Sequence, residues 1–239
     1  MESPTEQAAT IWTASTKEAL ALLEGEVSLN SEEMTQAGRL KQAADRDRFL
    51  AARALLRHAL SDALDGEVGP ELWQYREGAQ GKPMMAPGLP QLEFNLSHAG
   101  DCLAVGVSHA GPIGVDIEKI DTDERPKVVA DALTMREREF LDALPEDCKW
   151  ENFIQIWTLK EACAKALGLG VFLDFGKLEA TVEPLRVEAQ QGVLGPCDTF
   201  DVETRRIDLD QDAYCLSVAR ICDTAGQTIF RFRQLGIEP

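Results

Sequence analysis

Apolar residues recur at helical spacing between Thr35 and Leu64, where Phe49, Leu50, Ala52, Leu55, Leu56, Ala59 and Leu60 build one stripe; the spacing predicts a helix over that stretch, with arginines on its flanks. Downstream the period falls to two. LWQYR reads as a strand, EGAQGKP as a Gly-rich turn, LEFNLSH as a strand with a polar tip, and DCLAVGVS as its hairpin partner. HAGP at 109–112 breaks the pattern, and a second half containing a helix and strands follows it. The chain is therefore expected to divide into an N-terminal lobe, 1–110, and a C-terminal lobe, 111–239, although no internal repeat in the sequence accompanies that division.

The second half opens with IGVDIE, in which Ile113, Val115 and Ile117 share one strand face and Gly114, Asp116 and Glu118 share the other. TMRE at 134–137 is a capping box, so Glu137 is assigned to starting a helix at Thr134. FIQIWTLKEACAKALGLG is helical to about Leu167 and ends at Gly168 or Gly170. On this helix Ile156, Leu159, Cys163, Ala166 and Leu167 form an apolar face, with Glu161 and Lys165 opposite. KLEATVE, TFDVETRRI, AYCLSVARI and TIFRFRQL then predict an antiparallel sheet behind the helix.

With 239 residues, 44% of them hydrophobic, the chain can bury a core without staples. The N-terminus lacks a basic start and an apolar segment, and no run of eighteen apolar residues occurs; a cytoplasmic protein without a membrane span is expected. Cys102, Cys148, Cys163, Cys197, Cys215 and Cys222 form no C-x-x-C pair and read as reduced and structural. A net charge of −17 argues against nucleic-acid binding, because that affinity comes from neutralising phosphates with Lys and Arg. The cations are unevenly spread, however. Lys41, Arg46, Arg48, Arg53 and Arg57 fall within KQAADRDRFLAARALLRH, which leaves room for a local anion site.

Taken singly, each polar feature has a plain structural reading. Glu161 and Lys165 have the spacing of a surface ion pair, Asp116 and Glu118 can be solvated on a sheet face, His98 beside Ser97 can cap its turn, Lys82 can be a loop lysine, and Arg53 can snorkel. Taken together, three carboxylates on a strand and a helix can hold Mg²⁺ with room for phosphate oxygens and water, and a lysine one turn beyond Glu161 can neutralise a bound phosphate. A dication between them is one reason for a strand to carry two like charges.

In order, FLAARALLR, GKP, FNLSHAG, GVDIE and WTLKEACAK resemble the 4'-phosphopantetheinyl transferases of the two-lobed, surfactin-synthetase-activating type, over roughly Arg46 to Leu169. The resemblance implies an α+β fold of two similar lobes forming a pseudo-dimer, each with helices on a small, mostly antiparallel sheet, and a monomer with coenzyme A in the cleft. It implies Mg²⁺-dependent transfer of 4'-phosphopantetheine from coenzyme A to a serine of an apo acyl or peptidyl carrier protein, releasing 3',5'-ADP. By position, Asp116, Glu118 and Glu161 would hold Mg²⁺, Glu161 would take the serine proton, and Lys165 would steady the phosphates. Ser97 and His98 would touch the phosphates, while Lys82 and Arg53, with Arg46 and Lys160, would grip the coenzyme. The chain departs from the pattern in an acidic N-terminal segment, where some relatives are basic, and in Thr158, where serine is commoner. Two other readings stay open: a Mg²⁺-dependent nuclease, and a non-catalytic relative that binds coenzyme A or a carrier.

Overall fold

A computed structural model describes residues 8–77, 83–120, 132–170, 173–190, 199–221 and 228–235. The turn carrying Lys82, together with Cys197 and Cys222, lies outside the described residues. The fold is α+β. In chain order the regular elements are β1 (Ala8–Ser15), α1 (Thr16–Ala21), α2 (Ser31–Arg39), α3 (Ala43–Asp62), β2 (Tyr75–Glu77), β3 (Pro83–Met85), β4 (Glu93–Ala99), β5 (Cys102–Ser108), β6 (Ile113–Lys119), α4 (Met135–Ala143), α5 (Glu146–Leu167), β7 (Leu178–Thr181), β8 (Arg186–Ala189), β9 (Phe200–Leu209), β10 (Asp212–Ile221) and β11 (Ile229–Gln234).

Two sheets form the centre. The first has the order β11-β1-β5-β4, the second β6-β10-β9. Their facing sides share one apolar layer, to which Ile11 and Ala104 contribute from the first sheet and Ile113, Val115, Ile117, Leu216 and Val218 from the second. The long helices cover the outer sides: α3 packs on Trp12, Leu103, Val105 and Val107, and α5 packs toward Cys215 and Ala219. The order of layers is thus helix, sheet, sheet, helix. Strict alternation along β1, β5, β6 and β10 makes this possible, since each strand buries one set of side chains under a helix and the other against the opposite sheet.

Three departures from the sequence expectation have physical causes. The predicted helix over 35–64 is two helices, because Leu40 and Gln42 are extended between them. Asn30 and Glu33 close a capping box at the start of α2, and Arg57, fully buried, ties the two helices by pairing with Glu33 at 2.7 Å and donating to the Pro70 carbonyl oxygen. The last strand, within TIFRFRQL, does not join the sheet behind α5. It runs parallel to β1 at the edge of the first sheet, with Arg205 over the Phe232 ring at 3.7 Å and Arg233 on Asp62 at 2.7 Å. Alternation specifies a strand but not its partner. Finally, α5 is buried on several sides rather than one, because α4 and β7 pack on it as well as the second sheet.

The capping box at Thr134 forms as its spacing implies. The Thr134 hydroxyl accepts from Glu137 N, and Glu137 in turn accepts from Thr134 N. Gly168 ends α5 with φ 70°, a left-handed cap that favours glycine. Cys102, Cys163 and Cys215 are buried free thiols, and Cys148 is an exposed one.

Candidate active site

The site is built where the two sheets meet without pairing. Strand β6 is an edge of its sheet, and the N–H groups of Val115 and Ile117 are taken by side chains of β4. Asn95 Oδ1 accepts from Val115 N at 2.9 Å and Ser97 Oγ from Ile117 N at 3.4 Å. Ser97 also donates to Asp116 Oδ1 at 3.0 Å, so one serine links the first half of the chain to the carboxylate of the second.

Gly114 sets the distance between β6 and α5. A Cβ there would stand 2.5 Å from Ala166 N and 3.0 Å from the Ala162 carbonyl carbon, and closer still to that carbonyl's oxygen. Only a residue without a side chain lets the helix backbone lie directly on the strand. Asp116 and Glu118 are on the same strand face as Gly114, so they look toward α5, where Glu161 and Lys165 lie beside the contact. Lys165 Nζ donates to Asp116 Oδ1 at 2.7 Å, to Ser97 Oγ at 3.0 Å and to the Val115 carbonyl oxygen at 3.1 Å.

Burial dominates the electrostatics. Asp116 is 5% exposed, and burial raises its carboxyl pKa although Lys165 and Ser97 oppose the shift. Burial, with the charge of Asp116, pushes Glu118 up to about 7, against a hydrogen bond from Trp157. Glu161 is raised for the same two reasons, with Lys165 opposing. The three acids therefore share one field. Asp116 Oδ2 is buried with no hydrogen-bond partner among the described residues. An unmatched carboxylate oxygen is a hard donor of the kind that Mg²⁺ takes, and Glu118 and Glu161 are the nearest further carboxylates coupled to it. As the side chains stand, no three of the His, Cys, Asp and Glu residues among those described are grouped closely enough to hold one metal ion.

A groove of about 370 Å³ lies beside this centre, lined by Leu40, Asp45, Arg48, Phe49, Ala52, Arg53, Leu96 and His98. Burial and then the charges of Arg48 and Lys165 lower the His98 pKa, so the imidazole is mostly neutral near neutrality. Arg53 also lines a second cavity of about 360 Å³ with Asn30, Glu33, Tyr75 and Arg76.

The structure thus ties Ser97, Asp116 and Lys165 directly together and sets Glu118 and Glu161 within electrostatic reach of Asp116, with His98 and Arg53 in the adjoining groove. Two residues expected to contact the coenzyme, Lys160 and Arg46, do not line this groove. Lys160 is fully buried and points away, donating to Glu137 at 2.6 Å and to the carbonyl oxygens of Ala132 and Phe175. Lys165, five residues on, is about 140° around the helix from Lys160, which puts the two lysines of KEACAK to different uses. Arg46 is exposed beside Asp47 at 4.0 Å and does not line the groove. Arg48, absent from the expected set, does. The signal was available, since Asp45, Arg48, Phe49, Ala52 and Arg53 recur at i, i+3, i+4, i+7 and i+8 and form one helical face.

The structure is thus an α+β protein with an acidic centre at the junction of two sheets and, beside it, a groove carrying arginines and a histidine. Residues 10–110 match the family described as 4'-phosphopantetheinyl transferase, N-terminal, and residues 112–219 the 4'-phosphopantetheinyl transferase superfamily. The chain belongs to the 4'-phosphopantetheinyl transferases. It is 42% identical over 128 residues to the 4'-phosphopantetheinyl transferase AcpT of Escherichia coli (strain K12), covering 53% of this chain and 60% of that one. It is 33% identical over 147 residues to the 4'-phosphopantetheinyl transferase HetI of Nostoc sp., covering 60% of this chain and 61% of the relative. Against the L-aminoadipate-semialdehyde dehydrogenase-phosphopantetheinyl transferase of Mus musculus it is 25% identical over 190 residues, covering 75% of this chain and 61% of the relative. The chain thus spans about 60% of the length of the first curated relatives it matches.

Proposed function

We propose that this protein transfers 4'-phosphopantetheine from coenzyme A to a serine hydroxyl of an apo acyl or peptidyl carrier protein. The observation that carries the reading is the convergence on Asp116 of a serine from β4, a lysine from α5 and an orphan carboxylate oxygen, beside a basic groove. In the reaction, the serine Oγ bonds to the pantetheine-side phosphorus, the P–O bond to the adenosine-side phosphate breaks, and 3',5'-ADP leaves with the electron pair. Glu161 takes the serine proton; burial and Asp116 raise its pKa, which makes it a stronger base than an ordinary carboxylate. Lys165 and Ser97 offer donors to the phosphates, and neutral His98 offers one N–H. Arg48 and Arg53 grip the anionic coenzyme from the groove, with Lys82 assigned to the same end.

Asp116, Glu118 and Glu161 would hold Mg²⁺, which when bound neutralises the diphosphate and polarises its phosphorus–oxygen bonds. We further propose that the protein is a two-lobed monomer working in the cytoplasm, with residues 1–110 and the returning strand β11 forming one lobe, the rest of 111–239 the other, and the coenzyme between them. Among the described residues no helix is long and apolar enough to cross a membrane. The test is incubation of the protein with coenzyme A, Mg²⁺ and a panel of apo carriers, read by mass spectrometry of the carrier. A phosphopantetheine mass gain on at least one carrier supports the reading; no gain on any, with coenzyme A also failing to bind, overturns it. A DNA-nicking assay run in parallel separates it from a nuclease.

A further inference from the structure

Asp116 already has a cation. The Lys165 ammonium donates to Asp116 Oδ1 at 2.7 Å, to Ser97 Oγ at 3.0 Å and to the Val115 carbonyl oxygen at 3.1 Å. Two of those acceptors belong to β6 and one to β4, so the lysine bridges the junction of the sheets. It reaches them because Gly114 lets the α5 backbone lie on the strand at Ala162 and Ala166, on either side of Lys165. We infer that Lys165 is the resident counter-cation of Asp116, that a divalent ion contends with it for this carboxylate, and that the coenzyme's phosphates relieve the contest by drawing the ammonium to themselves. This rests on the proposed transferase reading and deepens it.

The physical argument is one of charge. A divalent ion placed at Asp116 Oδ2 would stand a few ångströms from an ammonium held on the other oxygen of the same carboxylate. In a site this poorly solvated, that repulsion subtracts from metal affinity. Phosphate oxygens offer the ammonium an alternative acceptor of higher charge while adding ligands to the metal. Metal and coenzyme then bind with positive coupling, and part of the coupling passes through one lysine. Lys165 is in this respect the residue that keeps the acidic centre from loading metal strongly before substrate arrives.

The test uses the full chain and Mn²⁺ as the probe, with free Mn²⁺ measured by electron paramagnetic resonance near pH 7.5. Wild type, Lys165→Met and the cation-retaining Lys165→Arg are titrated with and without coenzyme A, after thermal melts show that each is folded. Without coenzyme A, Lys165→Met is expected to bind Mn²⁺ roughly tenfold or more tightly than wild type, with Lys165→Arg close to wild type. Coenzyme A is expected to tighten Mn²⁺ binding by a larger factor in wild type than in Lys165→Met. A lysine that merely supported the fold would weaken metal binding when removed. Equal or weaker binding by Lys165→Met overturns the inference and leaves the metal assignment standing. No Mn²⁺ bound by any of the three, even with coenzyme A, refutes the metal assignment itself.

Discussion

Replacing Gly114 by alanine adds a single carbon atom at a point where the α5 backbone rests directly on β6. That carbon would lie 2.5 Å from Ala166 N and 3.0 Å from the carbonyl carbon of Ala162, against an ordinary contact of 3.4–4 Å. All the crowded atoms are backbone, so no rotamer change relieves them, and the helix must move by about 1 Å or more. Overpacking of this kind costs about 1–3 kcal/mol. The same movement carries Glu161 and Lys165 away from Asp116, and a 1 Å misplacement of reacting groups costs about 10²-fold in rate. The assay is carrier modification followed as kcat/KM, alongside urea unfolding. We expect a fall of about 10²-fold in kcat/KM with a folded protein of lowered urea midpoint. Trimming the neighbouring side chains, as in Ala162→Gly or Ala166→Gly, should not rescue the variant. Normal turnover and an unchanged midpoint, or rescue by either second change, would refute the claim that this backbone contact positions the site.

Three further outcomes follow from the same geometry. Lys160→Ala strips the partner from buried Glu137 and should lower stability by about 3–5 kcal/mol in urea titrations, because it leaves an uncompensated buried charge. Arg48→Ala should raise the KM for coenzyme A by an order of magnitude or so, whereas Arg46→Ala should leave it near wild type; the reverse order would contradict the placement of the groove. Burial raises Glu118 from 4.5 to about 7, so its contribution to stability is fully present below pH 4.5 and is lost as pH rises through 7. Allowing for solvent screening of this half-buried group, the loss is about 1–2 kcal/mol. Urea midpoints should therefore fall between pH 5 and pH 8 in metal-free buffer, more steeply for wild type than for Glu118→Gln. A matching pH dependence in the two proteins would assign the effect to other groups.

Local chemistry made much of this fold legible. The alternation in IGVDIE defines both faces of β6, the TMRE capping box starts α4, and a glycine stops α5 where its spacing implies. The same capping signal stands in STKE and NSEE, where Ser15 and Asn30 cap α1 and α2. These features are set by interactions within a few residues of each other. Arg48 was legible in principle too, since helical periodicity alone puts it on the groove face with Phe49 and Ala52.

What the chain could determine by itself was which side chains share a strand or helix face, because backbone periodicity and capping act over a single turn or pair of residues. Tertiary structure alone decided that Ser97 meets Asp116, that Lys165 rather than Lys160 faces the acids, that Arg46 stays in solvent, and that the last strand returns to β1. Each of those outcomes depends on which surfaces are buried against each other across many intervening residues. The identical chemistry of two lysines five positions apart on one helix becomes a structural ion pair or a cleft cation only when a second layer packs on one of them.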